Sequence, residues 1–494
     1  MRPNLPRRQD ESRGLRLWPV GTALALTFST AITVAAAVFL TGWGLLDVQN
    51  LKPERQLTSK TLFDLVKLSF GVVAGAGALV ALVVAYRRQR IDEDGALRDA
   101  TRLHTERFTT AVSQLGEESA AVRLGGVHAL AGLADDAPTR DLRQTCIDVL
   151  CAYLRLPYTS QTDFPSEDAG ARHTYLALRE VRHTVIRLIR DHLSLPPEHP
   201  RSWEGHDLDF TGVVFDGGDF SGASFRSGMV DFSNATFSGS MVDFNNTTFS
   251  GSTVNFNHTK FLDGTVNFNH ATFSNGTVNF NGAEFNGSTV RFDYANFNGG
   301  TVNFEHAEIN NGGIDFNHAT ISRDSITFSH AAINGGVLRF NDAGFNGGAI
   351  HFEGASINGG KLAFRDASFD GSIVNFDRAS FNGGTIEFDD TTISGGVVIF
   401  TYAAFSGSTT NFNQVTFFDG FVDFGYAVFS SGEISFTDAG FNGETVSFDN
   451  AAFNGGTVDF NGAFGSSPSG IFSPSGQPSP FCLNLPRSWQ PSTH

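Results

Sequence analysis

The sequence predicts a β-solenoid that follows two N-terminal transmembrane helices and a small α-helical region. Three observations carry this prediction. From Phe232 to Phe460 every twelfth residue is Phe, without exception. Two stretches near the N-terminus, Leu17 to Leu46 and Leu68 to Tyr86, contain no charged residue. Between them and the repeat, apolar residues recur at helical spacing. The composition agrees, with 49 Phe and 54 Gly but 3 Met and 4 Trp, as when one structural slot is filled many times.

Each uncharged stretch is long enough for a helix to cross a hydrocarbon core, which takes about 20 residues. The spans are placed at 17–46 and 62–86, the second starting early so that Lys67 snorkels toward the interface. A cleaved signal peptide is disfavoured, because the first apolar run is about twice the usual length and a second span follows. Residues 1–16 carry Arg2, Arg7, Arg8, Arg13 and Arg16, and Arg87, Arg88 and Arg90 follow the second span. By the positive-inside rule both ends lie in the cytoplasm and 47–61 form a short external loop. The expected location is the cytoplasmic membrane, multi-pass, with the C-terminal solenoid inside the cell.

Residues 91–195 read as a cytoplasmic helical region. Its apolar stripes include Val122, Val127, Leu130 and Leu133, then Leu142, Cys146, Val149, Leu150 and Tyr153. They are expected to pack on one another as a small bundle. The last helix has Leu178, Val181, Val185, Leu188 and Ile189 on one side, with Arg172, Arg179, Arg182, Arg187 and Arg190 elsewhere. A solvated charged face is preferred for those arginines over a face for lipid headgroups or nucleic acid. Cys146, Cys151 and Cys482 have neither metal-ligand spacing nor a disulfide framework.

The repeat occupies 207–463. A second column follows the main Phe by five residues, at Phe237, Phe249, Phe261, Phe273, Phe285 and Phe297, and then changes largely to Ile. It interleaves with Phe232, Phe244, Phe256, Phe268, Phe280 and Phe292, and these twelve residues are the predicted structural core. An aliphatic column, Val230, Val242, Val254 and Val266, precedes the main Phe by two. Period two within each arm puts both members on one face of a short strand, and Gly, Asn, Ser and Asp supply the corners.

The stretch "DLDFTGVVFDGGDFSGASF", residues 207 to 225, resembles the pentapeptide repeat family. Phe210, Phe215, Phe220 and Phe225 would be the central residues, with Leu208, Val213, Gly218 and Ala223 two earlier. The resemblance implies a right-handed parallel β-helix with four sides, one pentapeptide to each. The later unit departs from it: "VNFNH" and "ATFSN" read as pentapeptides, but "GT" is left over. Two units of twelve are therefore expected to close one coil, with one unit per coil as the alternative. The chain also resembles bacterial proteins in which membrane spans and a helical stretch like "RFTTAVSQLGEESAAVRLGGVHALAGLADD" precede such a solenoid.

Signs of catalysis are weak. The chain contains no Ser/His/Asp, phosphate-loop or dinucleotide signature, and the repeat never breaks phase to admit a long loop. His258, His270, His306, His318 and His330 share one corner position, which other units fill with Asn, Gly, Tyr, Asp or Gln. That argues against a metal site. Thr253, Thr265, Thr277, Thr289 and Thr301 form a row reminiscent of an ice-binding ladder, but it decays to Gly313, Ser325 and Val337. No enzyme activity, cofactor, metal or small-molecule substrate is expected. From 201 to 480, 29 acidic against 9 basic residues give a net charge of −20, so direct nucleic-acid binding is not expected.

The expected function is a membrane-anchored scaffold, held in the bilayer by its two spans, that presents an acidic rod to an unidentified protein partner. The resemblance offers an alternative, since the family includes acidic rods that resemble duplex DNA and occupy topoisomerases. The Pro/Ser-rich tail, 464–494, is expected to be disordered or to cap the solenoid end.

Overall fold

The computed structural model describes residues 20–45, 58–158, 169–323, 325–442, 446–471 and 483–490. The chain divides into two units, Met1–Leu103 and His104–His494. The N-terminal unit holds helix α1, Val20–Leu45, and most of α2, Ser59–Leu115.

Among the described residues one helix, α2, is long and apolar enough to cross a membrane, which corrects the expectation of two spans. Among the described residues of α1 the apolar stretch is Ala25–Ala37. The hydroxyls of Thr30, Thr33 and Thr41 turn back onto carbonyls one turn earlier. The helix that contains the second expected span continues beyond residue 86. With no Pro or cap to end it, α2 continues through the charged 87–102 stretch to Leu115.

In the second unit the end of α2 packs beside α3 (Ala120–Asp135), α4 (Arg140–Arg155) and α5 (Ala169–Leu193). Gly126 sets the contact distance between α2 and α3, since a Cβ there would lie 2.9 Å from the Ala111 carbonyl oxygen. Thr139 caps α4 by accepting from the Leu142 amide, 3.3 Å. Cys146 and Cys151 are buried, and burial raises their thiols to about 11 and about 12, so both are inert small hydrophobes at neutral pH.

From Leu208 onward the chain is a right-handed parallel β-solenoid of about 11 turns. Every strand pairs in parallel with the strand one coil away. Val230 is opposite Val254, Val266 opposite Val290, and Phe273 opposite Phe297, so two twelve-residue units close one coil of 24 residues. Each coil has four sides. The first side runs from Leu208–Asp209 to Val446–Ser447, and the fourth from Ser224–Arg226 to Phe464–Gly465, each an 11-stranded sheet. The second side starts at Val214–Phe215 and the third at Gly218–Asp219. They are joined where Ala404–Asn411 and Val428–Ser435 run through the corner between them.

The repeat's chemistry explains this shape. Burial alternates along most three-residue strands, with the central Val, Phe, Ile or Leu inside. The twelve predicted core phenylalanines are all buried, none more than 2% exposed. Rings in one column stack coil on coil, with Phe232 to Phe256 at 4.6 Å and 2° and Phe244 to Phe268 at 4.7 Å and 7°. The two main columns meet edge to face across the axis, as in Phe268 against Phe280 at 90°. At the corner after each main Phe, the residue two later has φ near +55° to +60°, as at Asn234, His258, Tyr294 and Asp366. The next amide closes the turn onto the Phe carbonyl, Ala235 to Phe232 at 3.0 Å. This is a type II turn, which explains why Asn, Asp, His and Gly share the position.

Part of the tail is ordered, which corrects the expectation of disorder across 464–494. Leu483–Asn484 adds a strand beside Thr457–Asp459, and a 3₁₀ turn, Arg487–Trp489, seats Trp489 against Phe441 and Phe460. The indole Nε1–H donates to the Gly465 carbonyl at 2.9 Å. A buried aromatic thus covers the last Phe layer.

Candidate interaction surface

Among the described residues the solenoid shows no insertion between coils, and its outward side chains lie on flat sides and corners. The charges are sorted by position. On the first side the outward residues Thr253, Asn255, Thr277, Asn279, Thr301, Asn303, Ser325 and Thr327 are all uncharged. The fourth side is similar, with Thr272, Ser274, Asn296, Asn298, Thr320 and Ser322. Acids lie at corners and on the third side, as at Asp243, Asp315 and Glu387, on the second side at Glu284 and Glu308, and on the first side at Asp209, Asp231 and Asp423 near its ends. Asp342, Asp366 and Asp390 occupy one corner in successive coils, and an open trough of about 400 Å³ lined by Arg365, Asp389, Asp390, Asn413 and Asp438 lies along it. Burial raises the Asp389 carboxyl above the usual range, although the Asn413 amide opposes that by donating to it at 2.9 Å.

Several polar rows run parallel to the axis. On the second side Asn286, Asn310, Asn334, Asn358 and Asn382 form an amide ladder, each Nδ2 donating to the preceding Oδ1 at 2.9 to 3.1 Å. Such ladders satisfy side chains coil by coil and fix the register. At the corners the rings pair, His270 with Tyr294 at 5.2 Å, Tyr294 with His318 at 4.7 Å, and His306 with His330 at 5.4 Å. Among the described residues no group of three His, Cys, Asp or Glu side chains could hold a metal ion. Lys361 and Arg365 face Glu387, so the cluster Glu387, Asp389 and Asp390 is partly neutralised.

The least legible feature is how the solenoid begins. The first coil is two residues short: Leu208 is opposite Val230 and Val214 opposite Thr236, 22 apart, whereas Gly218 is opposite Val242, 24 apart. The missing pair falls at the corner where Asp216, Gly217 and Gly218 meet α5. A Cβ on Gly218 would approach the Ile186 side chain at 3.1 Å, so the glycine lets the helix seat there.

Asp216, 4% exposed, accepts from the Tyr175 and Tyr158 hydroxyls, and its carbonyl accepts from Arg179 at 3.3 Å. Arg182, also buried, donates to Leu154 O of α4 and Val214 O of the first coil, both at 2.7 Å, with its guanidinium 4.3 Å over the Tyr158 ring. Arg190 pairs with Asp219 and Arg155 with Asp209. Trp203 is fully buried and stacks on His192 at 4.1 Å. The helical region is therefore the cap of the solenoid's open end. This corrects two expectations: the stripes do not pack only on one another, and Arg179, Arg182 and Arg190 form neither a solvated nor a ligand-binding face. Burying the first Phe layer requires a lid, and α5 supplies it.

His206 lies in the same junction, 7% exposed, with Nδ1 3.0 Å from Gln144 Oε1. Burial, then Arg140 and Arg143, lower it from 6.5 to about 4. The folded protein keeps this imidazole neutral, so below pH 6.5 the unfolded chain binds the extra proton and stability falls with falling pH toward 4. His183, lowered by burial, adds in the same direction. Unfolding midpoints measured at pH 7 and pH 5 should differ, and His206→Gln should reduce the difference. An unchanged difference would show that the junction does not govern acid stability.

A four-sided, right-handed parallel coil of 24 residues, with a type II turn after each main Phe, is consistent with the fold that the resemblance to pentapeptide repeats implies. No protein-family model matches the sequence, and no curated protein matches it. Solved structures similar to the chain include two of trypsin-treated variants of QnrB1, a plasmid-mediated fluoroquinolone resistance protein. One is 14% identical over 46% of this chain and 91% of that chain with a TM-score of 0.19. The other is 16% identical over 48% and 89% with a TM-score of 0.13.

Proposed function

We propose that the chain is a non-enzymatic scaffold, anchored in the cytoplasmic membrane, whose pentapeptide-repeat solenoid presents its sides to a protein partner. The observation that carries this reading is the pair of flat sides, the first from Thr253 to Thr327 and the fourth from Thr272 to Ser322, where hydroxyl and amide side chains point outward without a charged side chain among them. Repeat surfaces of this kind bind extended or flat partners through many small contacts. The single candidate span in α2 supports attachment to a bilayer, and the arginines after residue 86 support a cytoplasmic solenoid. A tagged full-length chain purified from detergent-solubilised native membranes should retain a protein that a variant carrying Asn296→Arg and Thr320→Arg, both outward on the fourth side, does not. Identical recovery by both, or no retained protein, would count against the scaffold.

One observation favours a second reading, acidic mimicry of nucleic acid. The carboxylates of Asp342, Asp366 and Asp390 follow one another along a corner at the coil spacing, about 4.8 Å. Duplex DNA carries about one charge per 1.7 Å of axis, and here basic residues interrupt the acids, so mimicry is the weaker reading. Recovery of a topoisomerase by the tagged chain, lost on Asp366→Asn and Asp390→Asn, would reverse that order.

A further inference from the structure

We propose that the last coil of the solenoid is a strand-addition site for an extended segment of another protein, and that residues 483–490 occupy this site in cis. Thr457–Asp459 pairs along one edge with the coil before it. Its other edge would present unpaired backbone amides and carbonyls, a ready template for an added strand. Leu483 and Asn484 fill that edge opposite Val458 and Asp459, and the Phe460 amide donates to the Asn484 carbonyl at 2.8 Å. The Asn484 side-chain amide donates to Asp459 Oδ1 at 2.7 Å. Trp489 completes the contact on the rings of Phe441 and Phe460.

Residues 483–490 dock on the stack as a ligand would and do not continue the repeat. Leu483 is opposite Val458, 25 residues apart, whereas Val458 is opposite Ile434, 24 apart. Only two residues pair before Pro486 stops the strand, against three between Glu433–Ser435 and Thr457–Asp459. The register that sets Asn484 opposite Asp459 brings Leu485 to the place of Phe460, so the segment carries Leu where each unit of the repeat carries Phe.

The resident segment also leaves contact unused. Leu483 and Leu485 are only partly buried, and Phe464, adjoining the Gly465 carbonyl that accepts from Trp489, stays 60% exposed. A segment that pairs over three residues and lays an apolar side chain on Phe464 makes more contact and displaces it. That segment belongs to a different protein, because exchange of 483–490 between two copies replaces each contact with itself and adds the cost of association. Its chemistry follows from the resident, "LNLPRSWQ", which alternates apolar positions, ends on an aromatic and has one Arg and no acid. A neutral or basic segment suits the end of a region with a net charge of −20. The site lies at the end of the stack, so it does not depend on what the first and fourth sides bind.

The test uses the full chain in detergent and a fluorescent peptide with the sequence of residues 483–490. Fluorescence anisotropy should show the peptide binding the Trp489→Ala chain, and separately the Leu483→Glu chain, about tenfold more tightly than the native chain, whose own segment competes at the high effective concentration of a short tether. A peptide with Ala in place of its Trp should not bind. Two variants that remove different contacts keep the test valid if one of them fails to fold. Amide exchange gives the location: the Phe460 amide should exchange slowly in the native chain, faster in either variant, and slowly again once the peptide is added. Equal binding to native and variant chains would overturn the proposal. So would no binding to a variant that keeps its far-UV circular dichroism, or binding that leaves exchange at Phe460 unchanged.

Discussion

Replacing Phe280 with Ile should destabilise the solenoid by roughly 3 kcal/mol, whereas the same change at Phe285, five residues on, should cost under about 1.5 kcal/mol. Both side chains are fully buried, so burial does not separate them. Their ring partners do. Phe280 stacks between Phe256 at 4.7 Å and Phe304 at 4.6 Å, and meets Phe268 and Phe292 edge to face at 6.4 and 6.2 Å. Phe285 stacks only on Phe261, at 4.7 Å, and its next neighbour in the column is already Ile309. Tilted contacts add Phe261 to the partners of Phe280 and Phe304 to those of Phe285, each at 6.2 Å, and each well-placed aromatic pair contributes about 0.5 to 1.5 kcal/mol beyond area, so losing five exceeds losing two by a few kcal/mol.

The repeat itself reflects this difference. The main position is Phe in every unit from Phe232 to Phe460, while the second position accepts Ile309, Ile321, Ile333, Ile357 and Ile393. Because each coil touches only its neighbours, the Phe280 change should first raise amide exchange in the coils around it and leave distant coils protected. Equal costs at the two positions would show that volume, and not ring geometry, sets the stability of the stack.

The solenoid was legible because its information is periodic. A twelve-residue period, Phe at two phases and small polar residues between them specify side, corner and column together, and repetition removes ambiguity that a single unit would leave. Coil closure followed from reading each unit as two pentapeptides plus two residues. The cap was hidden for the opposite reason. Arg182 sits between Val181 and Val185 on a helix rich in arginine, and no local pattern distinguishes an arginine facing water from one that bridges two carbonyls of other elements. A signal was present in the repeat: the Phe spacing is five from Phe210 to Phe225 and lengthens only afterwards, which marks a corner shaped for something else. Trp489, alone in a Pro/Ser-rich tail, was a comparable sign. The length of α2 was obscured because a charged stretch after an apolar one reads as a boundary, although neither charge nor polarity breaks a helix.

Arg182→Ala should detach the cap, with a loss of about 3 to 4 kcal/mol, because it strands two buried carbonyls and leaves the Tyr158 face without its cation. Burial lowers the Arg182 guanidinium to about 10, so it is still charged at neutral pH, and the Leu154 and Val214 carbonyls and the ring are what make that charge tolerable. Arg182→Lys should recover little, since a single ammonium cannot reach α4 and the first coil with the planar fork that holds both. Limited proteolysis separates the outcomes. If the cap is a lid on an otherwise self-supporting stack, the variant should be cut around 194–207 while the coils from Thr253 to Phe424 resist. If the cap is the structure on which the coils assemble, protection should be lost along the whole solenoid. An unchanged digestion pattern would mean that Arg179, Arg190 and the apolar contact of Ile186 hold the lid without Arg182, and that the buried arginine is not what fastens it.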